Sequence, residues 1–298
     1  LSEYENEFSL NDIFPINSVG IVTARDELTI HFTFEELMST VRDFASLDVE
    51  DARAKYSLGK DARDWRVEWA QQDVHLSGAD ERLARQILYR PFDIRWTYYT
   101  GKSRGFLCYP RHEVMQEMND NVAIVGSRVT KDDPSAIVGQ SIIAHKAGTR
   151  YDISYVFPML SRAQGENFTL SFRTYLDARY DHHYSPEEIL GYIYAVLHAP
   201  AYRSRYAEFL RIDFPRIPFA ETNAQFEALS DLGWALVQAH LMRDLPRRNL
   251  GDFHGRGGNA VEHVRYTAED SRISVNAAQS FAPVPEAVWN FHIGGYQV

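Results

Sequence analysis

Four cations, Arg95, Lys102, Arg104 and Arg111, are spread along the stretch RPFDIRWTYYTGKSRGFLCYPRHEVMQEM (90–118), with no acid between Arg95 and Arg111. Ser103 adds a hydroxyl beside two of them. Guanidinium and ammonium groups attract anions, and an arginine can also meet a guanine edge with two parallel hydrogen bonds. A segment that carries cations and aromatics to one loop suits contact with a phosphate backbone or with base edges.

The elements that must position this loop are legible nearby. An alternating aromatic strand, Ile94 to Tyr99, leads into it, and a short helix starting near Pro110 follows. Residues 1–32 read as strands and turns. Thr33 with Glu36 forms a capping box before Leu37, Val41 and Phe44, which predicts a helix. Residues 48–57 and 79–89 also read as helical, the second stopped by Pro91. From Ile94 to Leu160 the pattern is of strands: IRWTYY, NVAIVGSRVT, AIVGQSIIAH and ISYVFPML. Ser185-Pro186-Glu187-Glu188 then opens a helix with an N-cap, a proline at the first position and a glutamate at the third. Pro200 interrupts before Tyr202 to Leu210, and a last helix opens at Thr222/Gln225. Beyond Pro246 the glycine-rich GDFHGRGGN precedes the strands VEHVRYT, ISVNAAQSF and AVWNFHIGGYQ. The expected fold is α+β: a β-rich lobe over 1–160, an inserted helical lobe over 161–246, and a C-terminal β return over 247–298 that rejoins the first lobe.

Composition bounds the possibilities. A chain of 298 residues, 45% apolar and 13% aromatic, can bury one large core or two modest ones. No stretch of 18 apolar residues exists, so no membrane span is expected, and no signal peptide is recognised. Both ends look cut from a longer polypeptide. The single cysteine, Cys108, excludes an internal disulfide and fits a small buried hydrophobe; cytoplasmic residence fits best. The net charge of -10 argues against nonspecific coating of nucleic acid. Residues 90–216, however, hold 13 Arg and 3 Lys against 14 acids, a local balance of +2.

Catalytic signatures are missing. Gly101-Lys102-Ser103 would need a glycine at 96 to make a phosphate loop, and Trp96 stands there. A methyl transfer to an exocyclic amine would need a glycine-rich cofactor loop and an Asn/Asp-Pro-Pro-aromatic tetrad, and neither occurs. None of the five lysines has an acid two residues before it, as a Glu-x-Lys nuclease motif requires. Gly255-Arg256-Gly257-Gly258 reads as a plain turn. His182-His183 beside Asp177 and Asp181 is the best metal candidate, but neighbouring side chains on a strand point apart, and a surface loop is the simpler reading. His112, His198 and His240 lie on helical stripes as helix-face or core groups.

Several blocks resemble the C-terminal part of type ISP restriction–modification enzymes and related adenine-specific methyltransferase–endonuclease fusions. They are IFPINSVGIVTARD (13–26), LYRPFDIRWTYY (88–99), PRHEVMQEM (110–118), ISYVFPML (153–160), SPEEILGYIYAVLHAPAYRSRYAEFLRIDFPRIPF (185–219) and VWNFHIGGYQV (288–298). In that family a nuclease, an ATP-driven translocase, a coupler and an adenine methyltransferase precede a target-recognition domain. The resemblance implies that this chain is the last of these, a non-catalytic module that positions double-stranded DNA and reads base edges beside the methyltransferase core of the same polypeptide. It implies adenine-N6 methylation from S-adenosylmethionine, and ATP- and Mg-dependent cleavage, for the parent alone; this chain itself is expected to hold no cofactor. The expected DNA contacts are Lys102, Ser103, Arg104 and Arg111, then Arg128 and Lys131 at the end of NVAIVGSRVTKDD, and Lys146 and Arg150 in HKAGTRYD. Their loops punctuate consecutive strands and could line one edge of the sheet, whereas Arg90 and Arg95 read as structural, pairing with Asp93 or a neighbouring acid. Two alternatives stay open. One is a protein- or ligand-docking module with Trp96, Tyr98 and Tyr99 as its face. The other is a hydrolase built on His182, His183 and Asp177.

Overall fold

Thr33 and Ser185 each satisfy the exposed amides at the start of a helix. The Thr33 hydroxyl accepts from Glu36 N at 3.1 Å while the Glu36 carboxylate accepts from Thr33 N, and the helix Phe34–Ser46 follows. Ser185 and Glu188 do the same for Pro186–His198, and Thr222 caps Asn223–His240. A helix Val49–Lys55 occupies the stretch read as helical near 48–57. A computed structural model provides this architecture, and it describes residues 2–131, 136–243, 245 and 250–298.

The helix expected over 79–89 is not formed. Gly78, with a left-handed φ of 67°, ends the preceding helix Val67–Ser77. One 3-10 turn, Glu81–Leu83, leads into the strand Ala84–Arg90. That strand pairs antiparallel with Asp93–Tyr98, from Ala84 opposite Tyr98 to Arg90 opposite Asp93. Pro91 therefore sits in a hairpin turn. Ile87 and Leu88 also pair in parallel with Ile142 and Ile143, so pairing on both edges overrides a weak helical periodicity. Three smaller differences follow. Residues 1–32 include the short helices Leu10–Ile13 and Asp26–Thr29. Leu170–Tyr180 is a helix that the sequence reading passed over. The helix Glu286–Trp289 takes up the start of AVWNFHIGGYQ, and its end forms a hairpin, His292–Ile293 with Tyr296–Gln297.

A four-stranded sheet runs in the order Ser18–Val19, Ser154–Pro158, Ala123–Ser127, Ala136–Gly139, and it separates two cores. Alternate residues of a strand face opposite sides. Ala123, Val125, Ile137 and Val156 enter a core with the helices Phe34–Ser46 and Val67–Ser77. Ile124, Val138 and Phe157 enter a core with the helices of 170–240. In the latter, a Cβ on Gly191 would stand 2.5 Å from Ser230 O, so the helices Pro186–His198 and Asn223–His240 touch backbone to backbone there. Among the described residues, no helix is long and apolar enough to cross a membrane.

The strands Asp252–His254, Ser280–Ala282, Arg272–Ser274 and Arg265–Thr267 pair with one another and extend neither earlier sheet. The chain returns to the first core through the final hairpin: Ile293 is buried there, Arg150 N donates to Gly294 O at 2.7 Å, and Tyr296 OH donates to Lys146 O at 3.0 Å.

Candidate nucleic-acid interface

The loop after the aromatic strand is held from below by Asp73, a carboxylate only 3% exposed. One of its oxygens accepts the Thr100 hydroxyl at 2.7 Å and the Phe106 amide at 2.8 Å. Arg104 N donates to Cys108 O, and Trp65 Nε1 donates to Phe106 O. A Cβ on Gly105 would collide with the Asp73 carboxylate. Phe106, Leu107 and Cys108 are drawn inward, and Lys102, Ser103 and Arg104 remain exposed at the tip. Burial pushes the Cys108 thiol up, as expected of a packed, unreactive sulfur.

Arg104 lies 5.8 Å over the Trp69 ring, and Arg66 lies 4.6 Å over the same ring. Arg111 stands next to His112, whose Nδ1 would lie 2.8 Å from a Cβ on Gly101, and Arg25 lies 5.1 Å over the ring of Trp65, whose Nε1 donates to Phe106 O. Arg111 has a left-handed backbone (φ 52°), its carbonyl accepts the Val114 and Met115 amides, and its guanidinium sits 5.1 Å over Tyr109. Its Nε is buried with no hydrogen-bond partner among the described residues. A buried N–H of this kind is costly to leave unmade. Four of the eight expected contacts, Lys102, Ser103, Arg104 and Arg111, thus come together, joined by Arg25 and Arg66, which the sequence reading missed.

Lys131, Lys146 and Arg150 form a second group on the turn at 151–152. Lys146 Nζ donates to Tyr151 O at 3.0 Å and Asp152 O at 2.7 Å, so two of its three donor directions are used within the fold. Lys131 N donates to the Asp152 carboxylate, and exposed Arg150 lies 5.7 Å from the Tyr151 ring. Arg95 pairs with Asp93 at 2.8 Å, the structural role expected of it. Arg90 makes no ion pair with a described residue; it stacks on Tyr89 at 4.0 Å and Tyr296 at 5.3 Å. Arg128 joins neither group. It pairs with Asp213 at 3.0 Å and lies over Phe214, on the side of the helical elements.

Residues 20–26 connect the two groups. Val22 N donates to Tyr109 O and Cys108 N to Val22 O on one side, while Ile21 N donates to Ile143 O and His145 N to Ile21 O on the other. Gly20 permits this approach, because a Cβ there would stand 2.6 Å from the Ala144 carbonyl and from His145 N. Asp26 accepts the Tyr89 hydroxyl at 2.6 Å and also the Thr23 hydroxyl, tying the 84–98 hairpin to the same segment.

The other chemistry weighed from sequence is not assembled. Tyr98 and Tyr99 are buried, their hydroxyls at 2.8 Å from Ser77 Oγ and 3.2 Å from His112 Nδ1, and Trp96 packs edge-on against Phe34. Tyr98 and Tyr99 are core residues and Trp96 is half-buried against that core, so the three do not form an exposed docking face. His183 Nδ1 lies 2.8 Å from Asp177, which also faces Arg173 at 3.5 Å. Among the described residues, no three His, Cys, Asp or Glu side chains are placed to hold a metal ion. The Gly101-Lys102-Ser103 turn runs into the buried Phe106–Cys108 stretch before the short helix His112–Met115, so it lacks the helix N-terminus that would cradle a nucleotide phosphate.

The family model described as the Type ISP C-terminal specificity domain matches residues 12–298. Three solved structures share the fold. One, a cryoEM structure of a DrdV–DNA complex, has a TM-score of 0.72 at 21% identity over 99% of this chain. A nuclease-deletion mutant of the Type ISP restriction–modification enzyme LlaGI with a DNA substrate mimic gives 0.69 at 18% over 100%. The ATP-dependent Type ISP restriction–modification enzyme LlaBIII bound to DNA gives 0.71 at 17% over 100%. This chain spans 33%, 25% and 21% of those proteins, respectively. No curated protein matches it. The chain belongs to the Type ISP C-terminal specificity domain family.

Proposed function

We propose that this chain is the DNA target-recognition module of a Type ISP-like restriction–modification enzyme. The observation that carries the reading is the pair of cation groups held on either side of residues 20–26, one around Arg104 and Arg111, the other around Lys146 and Arg150. Lys102, Ser103, Arg104, Arg111, Lys131, Lys146 and Arg150 are the contacts on this face, with Arg128 a separate one near Asp213. Cations on loops meet phosphates and fix register, and those that reach a groove discriminate bases. A net charge of -10 is compatible with this task because the cations are local and the structures of the same fold named above are of longer proteins solved with DNA or a DNA substrate mimic.

The division of labour follows from the chemistry. In this proposal the rest of the polypeptide contributes an adenine-N6 methyltransferase core using S-adenosylmethionine and an ATP- and Mg-dependent endonuclease, working in the cytoplasm. Residues 1–160 and 247–298 form the recognition lobe and 161–246 the helical lobe; the 246/247 boundary lies outside the described residues. The testing experiment is fluorescence anisotropy of labelled duplexes of differing sequence across a salt series. Affinity that falls as salt rises, with one sequence bound more tightly, is the expected result. Equal binding to all sequences would overturn it.

A further inference from the structure

Phe32 is 70% exposed, although it occupies the position just before the Thr33 cap. An apolar residue there commonly folds back onto the fourth residue of the helix. That residue, Leu37, is fully buried without it. The Phe32 ring lies instead against the Arg95 guanidinium at 4.2 Å. Arg95 is in turn 4.5 Å from the Tyr89 ring, Arg90 is 4.0 Å from that ring, and Arg90 is 5.3 Å from Tyr296. Aromatic and guanidinium groups therefore alternate from Phe32 through Arg95, Tyr89 and Arg90 to Tyr296.

Resting on the target-recognition reading, we infer that the exposed Phe32 ring at the end of this ladder is a stacking site for a nucleobase displaced from the duplex stack, with Arg95 the cation beside it that faces its phosphate. A base presents a flat apolar face and an anionic backbone, and an exposed ring beside a guanidinium is the complementary surface. Arg95 is already fixed by Asp93 at 2.8 Å, so the cation beside the ring is in place before a ligand arrives. The Tyr296 end of the ladder is tied to the segment that carries the second cation group, because Tyr296 donates to the Lys146 carbonyl and Arg150 N to Gly294 O. A solvent-facing ring adds little to the core.

The test compares the protein with Phe32→Ala and Phe32→Trp. Equilibrium binding is measured at fixed salt to a fully paired duplex carrying the preferred sequence and to a series with one unpaired nucleotide at each position. The protein is expected to bind one unpaired duplex more tightly than the paired one. Phe32→Ala should lose about fivefold to 150-fold on that duplex, with a smaller loss on the paired one, and Phe32→Trp should recover it. Thermal unfolding should be unchanged in both variants. Equal affinities of Phe32→Ala and the protein on every duplex, or equal losses on all of them, would overturn the stacking site while leaving target recognition standing. Failure of the unaltered protein to prefer any sequence would instead remove the reading on which the inference rests.

Discussion

The Thr100 hydroxyl and the Phe106 amide converge on a single oxygen of Asp73, at 2.7 and 2.8 Å, and so close the loop that presents Lys102, Ser103 and Arg104. Because one oxygen serves both donors, asparagine can supply it as well as aspartate. Asp73→Asn should keep both the fold and DNA affinity close to those of the unaltered protein. Asp73→Leu strands the buried Phe106 N–H and should cost about 1–3 kcal/mol in urea unfolding and weaken DNA binding. Equal behaviour of the two variants would refute this anchoring role.

Lys102 and Arg111 should fail differently. Lys102 is exposed at the loop tip, so Lys102→Ala is expected to weaken all duplexes alike and to reduce the slope of log K against log salt by about 0.9. Arg111, only partly exposed and held over the Tyr109 ring, should contribute to base reading. Arg111→Ala should relax discrimination at one base pair, by about 1–3 kcal/mol. Competition binding against single-base variants of the preferred site separates the two effects.

Gly20→Ala should destabilise the protein by about 1–3 kcal/mol, since its methyl group would meet the Ala144 carbonyl and His145 N, both backbone. Chemical denaturation would show this as a lower midpoint with an unchanged slope. An unaltered midpoint would mean that the two cation groups are not coupled through so close a contact.

Acid should weaken the fold through the buried histidines. Burial, reinforced by His240, holds the His198 imidazole down at about 4, and burial lowers His240 as well, its Nδ1 lying 2.6 Å from the Tyr194 hydroxyl. The unfolded chain takes up protons near the ordinary value of about 6.5 while the folded one resists. Stability is therefore full above about 6.5 and declines as pH falls towards about 4. His198→Phe should flatten that decline in urea titrations at pH 7 and pH 5, and an unchanged pH dependence would contradict the assignment.

The helix starts at Thr33 and Ser185 were readable because a capping box is decided by three or four adjacent residues. The stretch 79–89 was misread because its fate depends on the distant strands Asp93–Tyr98 and Ile142–Ile143. The same distinction divides the candidate site. Lys102, Arg104 and Arg111 could be grouped from their spacing, but their link to Arg66 through Trp69 could not. Nor could spacing bring Phe32, Tyr89 and Tyr296 into one ladder, since only the fold joins those positions. Arg128 looked equivalent to its neighbours in sequence, and its ion pair with Asp213, 85 residues away, sets it apart.

Selection from a randomised duplex pool at two salt concentrations tests the central claim most directly, using the protein, Arg104→Ala with Arg111→Ala, and Arg150→Ala. The account predicts that the protein enriches one short motif, that the Arg104 and Arg111 changes abolish the enrichment, and that Arg150→Ala weakens it most at the higher salt. No enriched motif at either salt, or a motif untouched by all of these changes, would contradict it.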